Sequence, residues 1–404
     1  EEAVTPSPVP GSEDENTGLL FVAEEEEIES PTPEETARQN PSLSGSKRGD
    51  SHNTIHNGKD FIENEILVKF RDDERQSENL KEYTRGRVHN KVGATLKKDF
   101  KNSGREGLHL VTVPEGTSVE EVIAEYESDP SVEYAQPNYI LSLPASPDDM
   151  ATPTGDISGD SYPDDTYFPL QWALSNSGQE VNGHTGSAGS DIGILQVWEI
   201  TKGSEEVVIA VIDTGVDTGH ADLADNIWTN PGEISGNNLD DDNNGYIDDY
   251  HGYNFVDQDG DPSDDNGHGT HCAGTIGASG NNGIGVSGVA WNGRVMPLKC
   301  LNSQGYGSTA DAIEAIGYAT VMGADIVSIS WGCGESDQAL YEAISTSPAL
   351  FVCAAGNSGQ ETDVYPVYPA SFNCDNIISV AATGQDDGLA SFSNWGRTSV
   401  DLSA

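Results

Sequence analysis

Val207-Val208-Ile209-Ala210-Val211-Ile212-Asp213-Thr214-Gly215 is the stretch whose reading decides the fold. Six apolar residues in a row leave a strand no polar face, which suits a parallel strand covered on both sides. The run stops at a carboxylate and a Thr-Gly turn. Four similar runs follow: Val295-Met296-Pro297-Leu298, Ile326-Val327-Ser328-Ile329, Leu350-Phe351-Val352-Cys353-Ala354-Ala355 and Ile377-Ile378-Ser379-Val380. Helical stretches, Ala310 to Ala319 and Gln338 to Ser345, lie between them. Strands alternating with helices predict an α/β domain built on a doubly wound parallel sheet. Such sheets bind ligands at the carboxyl ends of their strands, so the chemistry is sought in the turns that follow them.

Working outward, this pattern fills residues 167–404. Residues 144–166 read as a cleavable linker, with Pro144, Pro147, Pro153 and Pro163 among small polar residues. Residues 59–143 carry 12 bases and 17 acids and read as a small α+β module. Its strands are Glu65 to Phe70, Leu108 to Val113, which alternates as a half-buried strand does, and Ser131 to Ala135, ending at Pro137. A helix is expected between Thr117 and Ser128, N-capped by Ser118, with Glu120 and Glu121 in its first turn. Residues 1–58, rich in Pro, Ser, Glu and Asn, read as a disordered acidic leader.

The formal net charge is −49, and after residue 143 about 38 acids face four bases, Lys202, Arg294, Lys299 and Arg397. That surface repels phosphate backbones and argues against nucleic-acid binding. Two readings of the acidity stand together: a strongly solvated surface suited to salt, and carboxylates gathered into cation sites. No apolar run approaches the ~20 residues of a membrane span. No signal peptide is recognisable, and the first residue is Glu1 rather than Met, so a preceding segment is expected. The five cysteines show neither CxxC pairs nor zinc-finger spacing.

Three residues follow buried strands or open a helix. Asp213 can orient a histidine. His268, in Asn266-Gly267-His268-Gly269-Thr270-His271, sits among small residues that allow close backbone approach. Asn357, in Ala354-Ala355-Gly356-Asn357-Ser358-Gly359, can donate to a developing anion. Taken singly, each also reads as an ordinary strand end, capping histidine or turn. In this order on one sheet, Val211 to Asp217, Asn266 to His271 and Ala354 to Asn357 resemble the aspartate, histidine and oxyanion motifs of the subtilisin-type serine proteases, the subtilases. Ser328-Ile329-Ser330-Trp331-Gly332 and Ser391-Phe392-Ser393-Asn394-Trp395-Gly396 match as well, and Asp129 to Tyr139 looks like the end of the family's inhibitory propeptide.

The resemblance implies a secreted serine endopeptidase made as a zymogen, with protein substrates and with its own propeptide as a partner in cis. His268 would be the general base, Asp213 its orienting acid and Asn357 the oxyanion donor. Ser330, Trp331 and Gly332 would pair with extended substrate, and Ala354, Ala355 and Gly356 would line the specificity pocket. The Gly-Thr-Ser-Met-Ala nucleophile motif is absent from residues 1–404. The serine is therefore expected beyond this chain, and the chain alone is expected to be inert. Cys272 would lie beneath His268 as a free thiol. The rival readings are a catalytically dead calcium-binding module and a nucleotide-binding enzyme, though no Gly-rich phosphate fingerprint follows Ile212.

Structural Ca2+ is expected at up to three places, each of which also reads as an ordinary acidic turn. Asp257, Asp259 and Asp261 alternate oxygen ligands on one loop, where some subtilases hold calcium. Asp240, Asp242, Asn244 and Asp248 fit positions of an EF-hand-like loop, but position 12 is His251. Asp165, Asp222 and Asn282, with carbonyls of Gly280, Ile284 and Val286, resemble the family's strong site.

Overall fold

A computed structural model describes residues 60–73, 75–144 and 162–404. The acidic leader and most of the expected linker, 145–161, lie outside the described residues. The N-terminal module runs β1 (Phe61–Phe70), α1 (Glu78–Val92), β2 (Thr95–Asp99), β3 (Leu108–Thr112), α2 (Val119–Glu127) and β4 (Val132–Ser142). Helix α2 forms as its sequence predicts, with Ser118 and Glu121 closing a reciprocal capping box. Helix α1 carries too few apolar residues to announce itself. It buries only Arg85, Val88, His89 and Val92, and ends at Gly93 with φ 78°.

The larger unit adds a short hairpin, β5 (Glu180–Val181) with β6 (His184–Thr185), and the helix α3 (Ile194–Trp198). Its sheet is built from β7 (Val208–Asp213), β8 (Tyr253–Asn254), β9 (Arg294–Lys299), β11 (Ile326–Ile329), β12 (Leu350–Ala354), β13 (Ile377–Ala381) and β14 (Leu402–Ser403). The helices are α4 (His268–Gly277), α5 (Thr309–Val321) and α6 (Gln338–Ser345), and β10 (Tyr306–Ser308) lies apart from the sheet. The seven strands run in the order β14-β13-β12-β11-β7-β9-β8, every pair parallel. Ala210 and Ile212 of β7 pack with α5 and α6, while Val211 packs with Ala273 of α4. Both faces are covered, which is why the run has no polar side. The strand order reverses direction at β7, so Asp213 stands at the switch point.

The strand Leu108 to Thr112 is buried at its first four residues rather than half-buried. Its alternation is real, but both faces meet protein. Ile66, Val68, Phe70 and Val111 face the module's own helices, whereas Leu67, Leu108, Leu110, Phe100 and Leu141 join the core beneath α5 and α6. Five such side chains contribute on the order of 10 kcal/mol gross of burial. The interface's polar contacts add ~1 kcal/mol each.

Those polar contacts fix orientation. Asn138 accepts the Ala310 N–H (3.0 Å) at the start of α5, and Gln136 accepts the Ala339 N–H (3.3 Å) at the start of α6. Arg105 donates to the Ala343 carbonyl (2.7 Å) in the last turn of α6.

Strand β4 continues past Pro137, where the sequence reading ends it. Pro137 lies opposite Ile66 of β1, and beyond it the strand pairs antiparallel with β10, through Ser308↔Ile140, Gly307↔Leu141 and Tyr306↔Ser142. A residue without an N–H is tolerated there because the β1–β4 register shifts between Ile66 and Phe61, beside Pro137.

Inside the module, His89 joins Tyr126 (2.7 Å) and His109 (2.8 Å) in a buried chain. Burial, then the neighbouring positive charge of His109 or Arg85, pushes both imidazoles down to about 4. Asp99 lies 3.7 Å from His109 Nε2. An unfolded histidine titrates near ~6.5, so the stability these rings contribute is full above that pH and is lost as pH falls from there toward 4. We therefore expect the protection of amides across β1 and β3 of the full chain, corrected for the intrinsic exchange rate, to fall between pH 7 and pH 5. The double variant His89→Gln, His109→Gln should flatten that dependence.

Candidate active site

The buried Asp213 carboxylate, 1% exposed, accepts the Thr214 N–H (2.7 Å) and His268 Nδ1 (2.8 Å) through one oxygen. His268 reaches it because α4 starts against the turn after β7. A Cβ on Gly269 would stand 2.1 Å from the Gly215 carbonyl oxygen, so only glycine allows that approach. Asp264 secures the helix start by accepting from Gly267 N (2.9 Å), Thr270 N (2.9 Å) and the Thr214 hydroxyl (2.8 Å). Burial would raise its carboxyl, but these and further donors hold it below the usual range. Lys299, buried beside Asp213 on β9, donates to the carbonyls of Thr214 (2.6 Å) and Leu301 (2.9 Å) and to Asp265 (2.6 Å). The roles of Asp264 and Lys299 were not read from the sequence. An Asp at a helix's N-terminal turn was the available signal for the first, and none existed for the second.

Burial works against a charged His268, but the hydrogen bond and charge of Asp213, with smaller contributions from Cys272, prevail and hold the imidazole up to about 10. Cys272, one helical turn on, places Sγ 3.8 Å from His268 Nδ1 and 3.7 Å from the Ser330 hydroxyl. Trp331, 2% exposed, donates its indole N–H to the Ile212 carbonyl (2.8 Å). Gly332 exchanges both backbone hydrogen bonds with Ser142, 3.1 and 3.2 Å. The end of β4 thus lies between β10 and Gly332, paired on both edges.

Asn357 follows β12 through Ala355 and Gly356. The buried Asn394 shapes that turn, donating to the Ala355 carbonyl (2.8 Å) and accepting from Ser358 N (3.0 Å) and Gln360 N (3.1 Å). The structure therefore joins Asp213 directly to His268, and links His268 through Cys272 to Ser330. Asn357 takes its place at the carboxyl end of the neighbouring strand β12.

Residues 204–404 match the model of the Subtilase family, and residues 48–138 match the Fervidolysin N-terminal prodomain. The Thermophilic serine proteinase of Bacillus sp. (strain AK1) is 32% identical over 375 residues, covering 91% of this chain and 76% of that protein. The chain belongs to the subtilase family. Thermitase from Thermoactinomyces vulgaris is 35% identical over 212 residues, covering 52% of this chain and 66% of its own. The crystal structure of fervidolysin from Fervidobacterium pennivorans, a keratinolytic enzyme related to subtilisin, superposes with a TM-score of 0.59 at 21% identity. That match covers 87% of this subtilase but only 48% of the fervidolysin chain, and the likeness establishes the fold.

The three acidic sets named from the sequence fold in different ways. Asp165 and Asp222, 3% and 2% exposed, meet at Asn282: its N–H bonds Asp165 (2.9 Å) and its amide bonds Asp222 (2.8 Å). Among Asp257, Asp259 and Asp261, burial and then the charges of the two flanking carboxylates push Asp259 up, against a backbone hydrogen bond from Asp261. The third set is only partly assembled. Asp242 and Asn244 bond one another (3.1 Å), and Asp240 accepts the N–H groups of Asn244 (3.0 Å) and Gly245 (2.9 Å). Asp248 turns instead to the N–H groups of Asn237 (3.0 Å) and Asn238 (2.6 Å).

Replacing Asp213 by Asn removes the charge that holds the His268 proton. A histidine-resolved NMR titration of Asp213→Asn should move that imidazole from the alkaline range to about 6.5 or below. An unmoved midpoint would contradict this electrostatic account.

Proposed function

We propose that this subtilase is the zymogen of an exported, calcium-stabilised serine endopeptidase, inhibited in cis by its own prodomain and released by cleavage within 144–166. The observation that carries the reading is the seating of Ser142 between Tyr306 of β10 and Gly332. An extended chain paired on both edges is how a peptide is presented for backbone attack, and the prodomain fills that place.

In the proposed chemistry, His268 Nε2 removes the proton of a serine hydroxyl as the oxygen attacks the scissile carbonyl. Asp213 holds the Nδ1 proton and stabilises the imidazolium, and Asn357 donates to the oxyanion. The amine leaves with the proton from His268, and water then resolves the acyl-enzyme. Ser330, Trp331 and Gly332 form one wall of the cleft and Ala354, Ala355 and Gly356 the specificity pocket. Residues 1–404 contain no Gly-Thr-Ser-Met-Ala segment to supply that serine, so this stretch alone should hydrolyse nothing. Oxygen-rich sets at Asp165, Asp222 and Asn282, and at Asp257, Asp259 and Asp261, suit Ca2+ as structural ligands. A prodomain lock and calcium-dependent stability both fit work outside the cell.

A full-length protein carrying the nucleophile segment should cleave casein. His268→Ala should lose several orders of magnitude, and Asn357→Ala on the order of 10²–10³ in kcat. Casein hydrolysis unaffected by His268→Ala would sink the mechanism. A base must be neutral, so the acid limb of the rate profile should lie above the ordinary histidine range of ~6.5. Ser142→Pro, which removes the N–H bonded to Gly332, should shorten the lag before activity appears. Chelation should lower the melting midpoint, and an unchanged midpoint would dispose of the calcium reading.

A further inference from the structure

We propose that Lys299 is a positioning residue for the peptidase reaction, tying the His268 base and the strand β10 to one buried ammonium. The inference rests on the reading above for the reaction itself, but not for its effect on the imidazole.

Lys299 ends β9 directly opposite Asp213, the last residue of β7. It is 2% exposed, and its ammonium donates to the Thr214 carbonyl (2.6 Å), the Leu301 carbonyl (2.9 Å) and an Asp265 oxygen (2.6 Å). That uses every N–H a lysine has. Each acceptor belongs to a different segment. Thr214 gives its own N–H to the Asp213 oxygen that also bonds His268. Asp265 precedes His268 by three residues and adjoins Asp264, which caps α4. Leu301 forms a bridge with Gly307 of β10.

Main-chain and amide bonds join the same segments. The Asp213 carbonyl accepts from Cys300 N (3.0 Å) and Leu301 N (3.1 Å), and Asn302 N bonds the Tyr306 carbonyl (2.8 Å). The Asn266 amide bonds the Ser303 carbonyl (2.9 Å). The turn after β9 therefore touches the loop that carries the base and the start of β10. That strand pairs with Ile140, Leu141 and Ser142. An apolar side chain at 299 would avoid burying a charge, but it would take this donor from the Thr214 and Leu301 carbonyls and leave Asp265 unpaired.

The ammonium also acts through its charge. His268 is faced by Asp213 from β7 and by Cys272 on its own helix. Behind Asp213 stand Asp264, Asp265 and Lys299. Burial, then the charge of Asp213, pushes the Cys300 thiol up, so it stays neutral. Lys299 opposes the pull of Asp213 on the imidazole proton, and Asp265 offsets Lys299.

In a full-length protein carrying the nucleophile segment, Lys299→Met should lower kcat on casein by about 10²-fold, the scale of a ~1 Å displacement at the reacting atoms. KM should rise as well, because β10 loses the same anchor. Lys299→Arg, which keeps the charge and the donors, should recover most of the loss. Histidine-resolved NMR of residues 1–404 separates charge from packing. Lys299→Met should raise the His268 midpoint by about half a unit or more. Asp265→Asn, at a half-exposed side chain, should lower it, because the ammonium then lacks its counter-charge. A Lys299→Met protein that melts lower but keeps kcat within about twofold would make the lysine merely structural and overturn the proposal. Midpoints that shift the same way in both variants, or not at all, would overturn it too. Full casein hydrolysis by His268→Ala would instead overturn the reaction reading, and the two midpoints would still decide whether Lys299 acts on the imidazole.

Discussion

A carboxylate buried at the end of a central strand must be hydrogen-bonded, and the satisfaction of Asp213 organises everything near it. Its oxygen takes the Thr214 N–H and His268 Nδ1, which requires α4 to begin within reach of the turn after β7. That approach in turn demands glycine at 269, a cap from Asp264 and the buried ammonium of Lys299 holding the Thr214 carbonyl. The parallel sheet supplies the rigid base. β7 is paired on both sides, by β9 and β11, so the position of Asp213 is set by main-chain bonds rather than by a loop.

The prodomain is bound to the peptidase unit by the same physics that holds each together. Its sheet alternates residues between two cores, and the second core is completed only by α5 and α6. Side chains then serve orientation. Asn138 and Gln136 meet the exposed N–H groups of two helix starts, and Arg105 meets the carbonyls where α6 ends. With the docking angle so determined, the end of β4 runs between β10 and Gly332. Where that strand ends follows from how its sheet is seated.

The acidic surplus divides into distinct physical roles. Asp264 and Asp213 spend their charge on N–H donors or an imidazole, and Asp265 pairs with Lys299. Asp165 and Asp222 converge on one asparagine, whereas Glu233 retains a buried oxygen without any donor. Only four bases follow residue 143, and among the described residues the ion pairs involve none of Asp165, Asp222 and Glu233.

Much of this was legible in the sequence, because local rules decide it. The apolar runs became β7, β9, β11, β12 and β13 nearly to the residue, and the Ser118 cap formed as read. The helix α1 was not legible, since its stability comes from a few buried contacts rather than a periodic apolar stripe. Nor was the full burial of β3, because a strand cannot reveal that a second domain covers its other face. The acidic loop shows the division most sharply. Spacing placed Asp240, Asp242, Asn244 and Asp248 together, but the fold turned Asp248 to Asn237 and Asn238 and brought Glu233 and Asp249 beside Asp242. The sequence by itself determined the sheet, its order of motifs and the family, which depend on local periodicity and residue type. Only the tertiary structure decided which carboxylates converge and where the prodomain strand ends, because both depend on contacts between segments far apart in the chain.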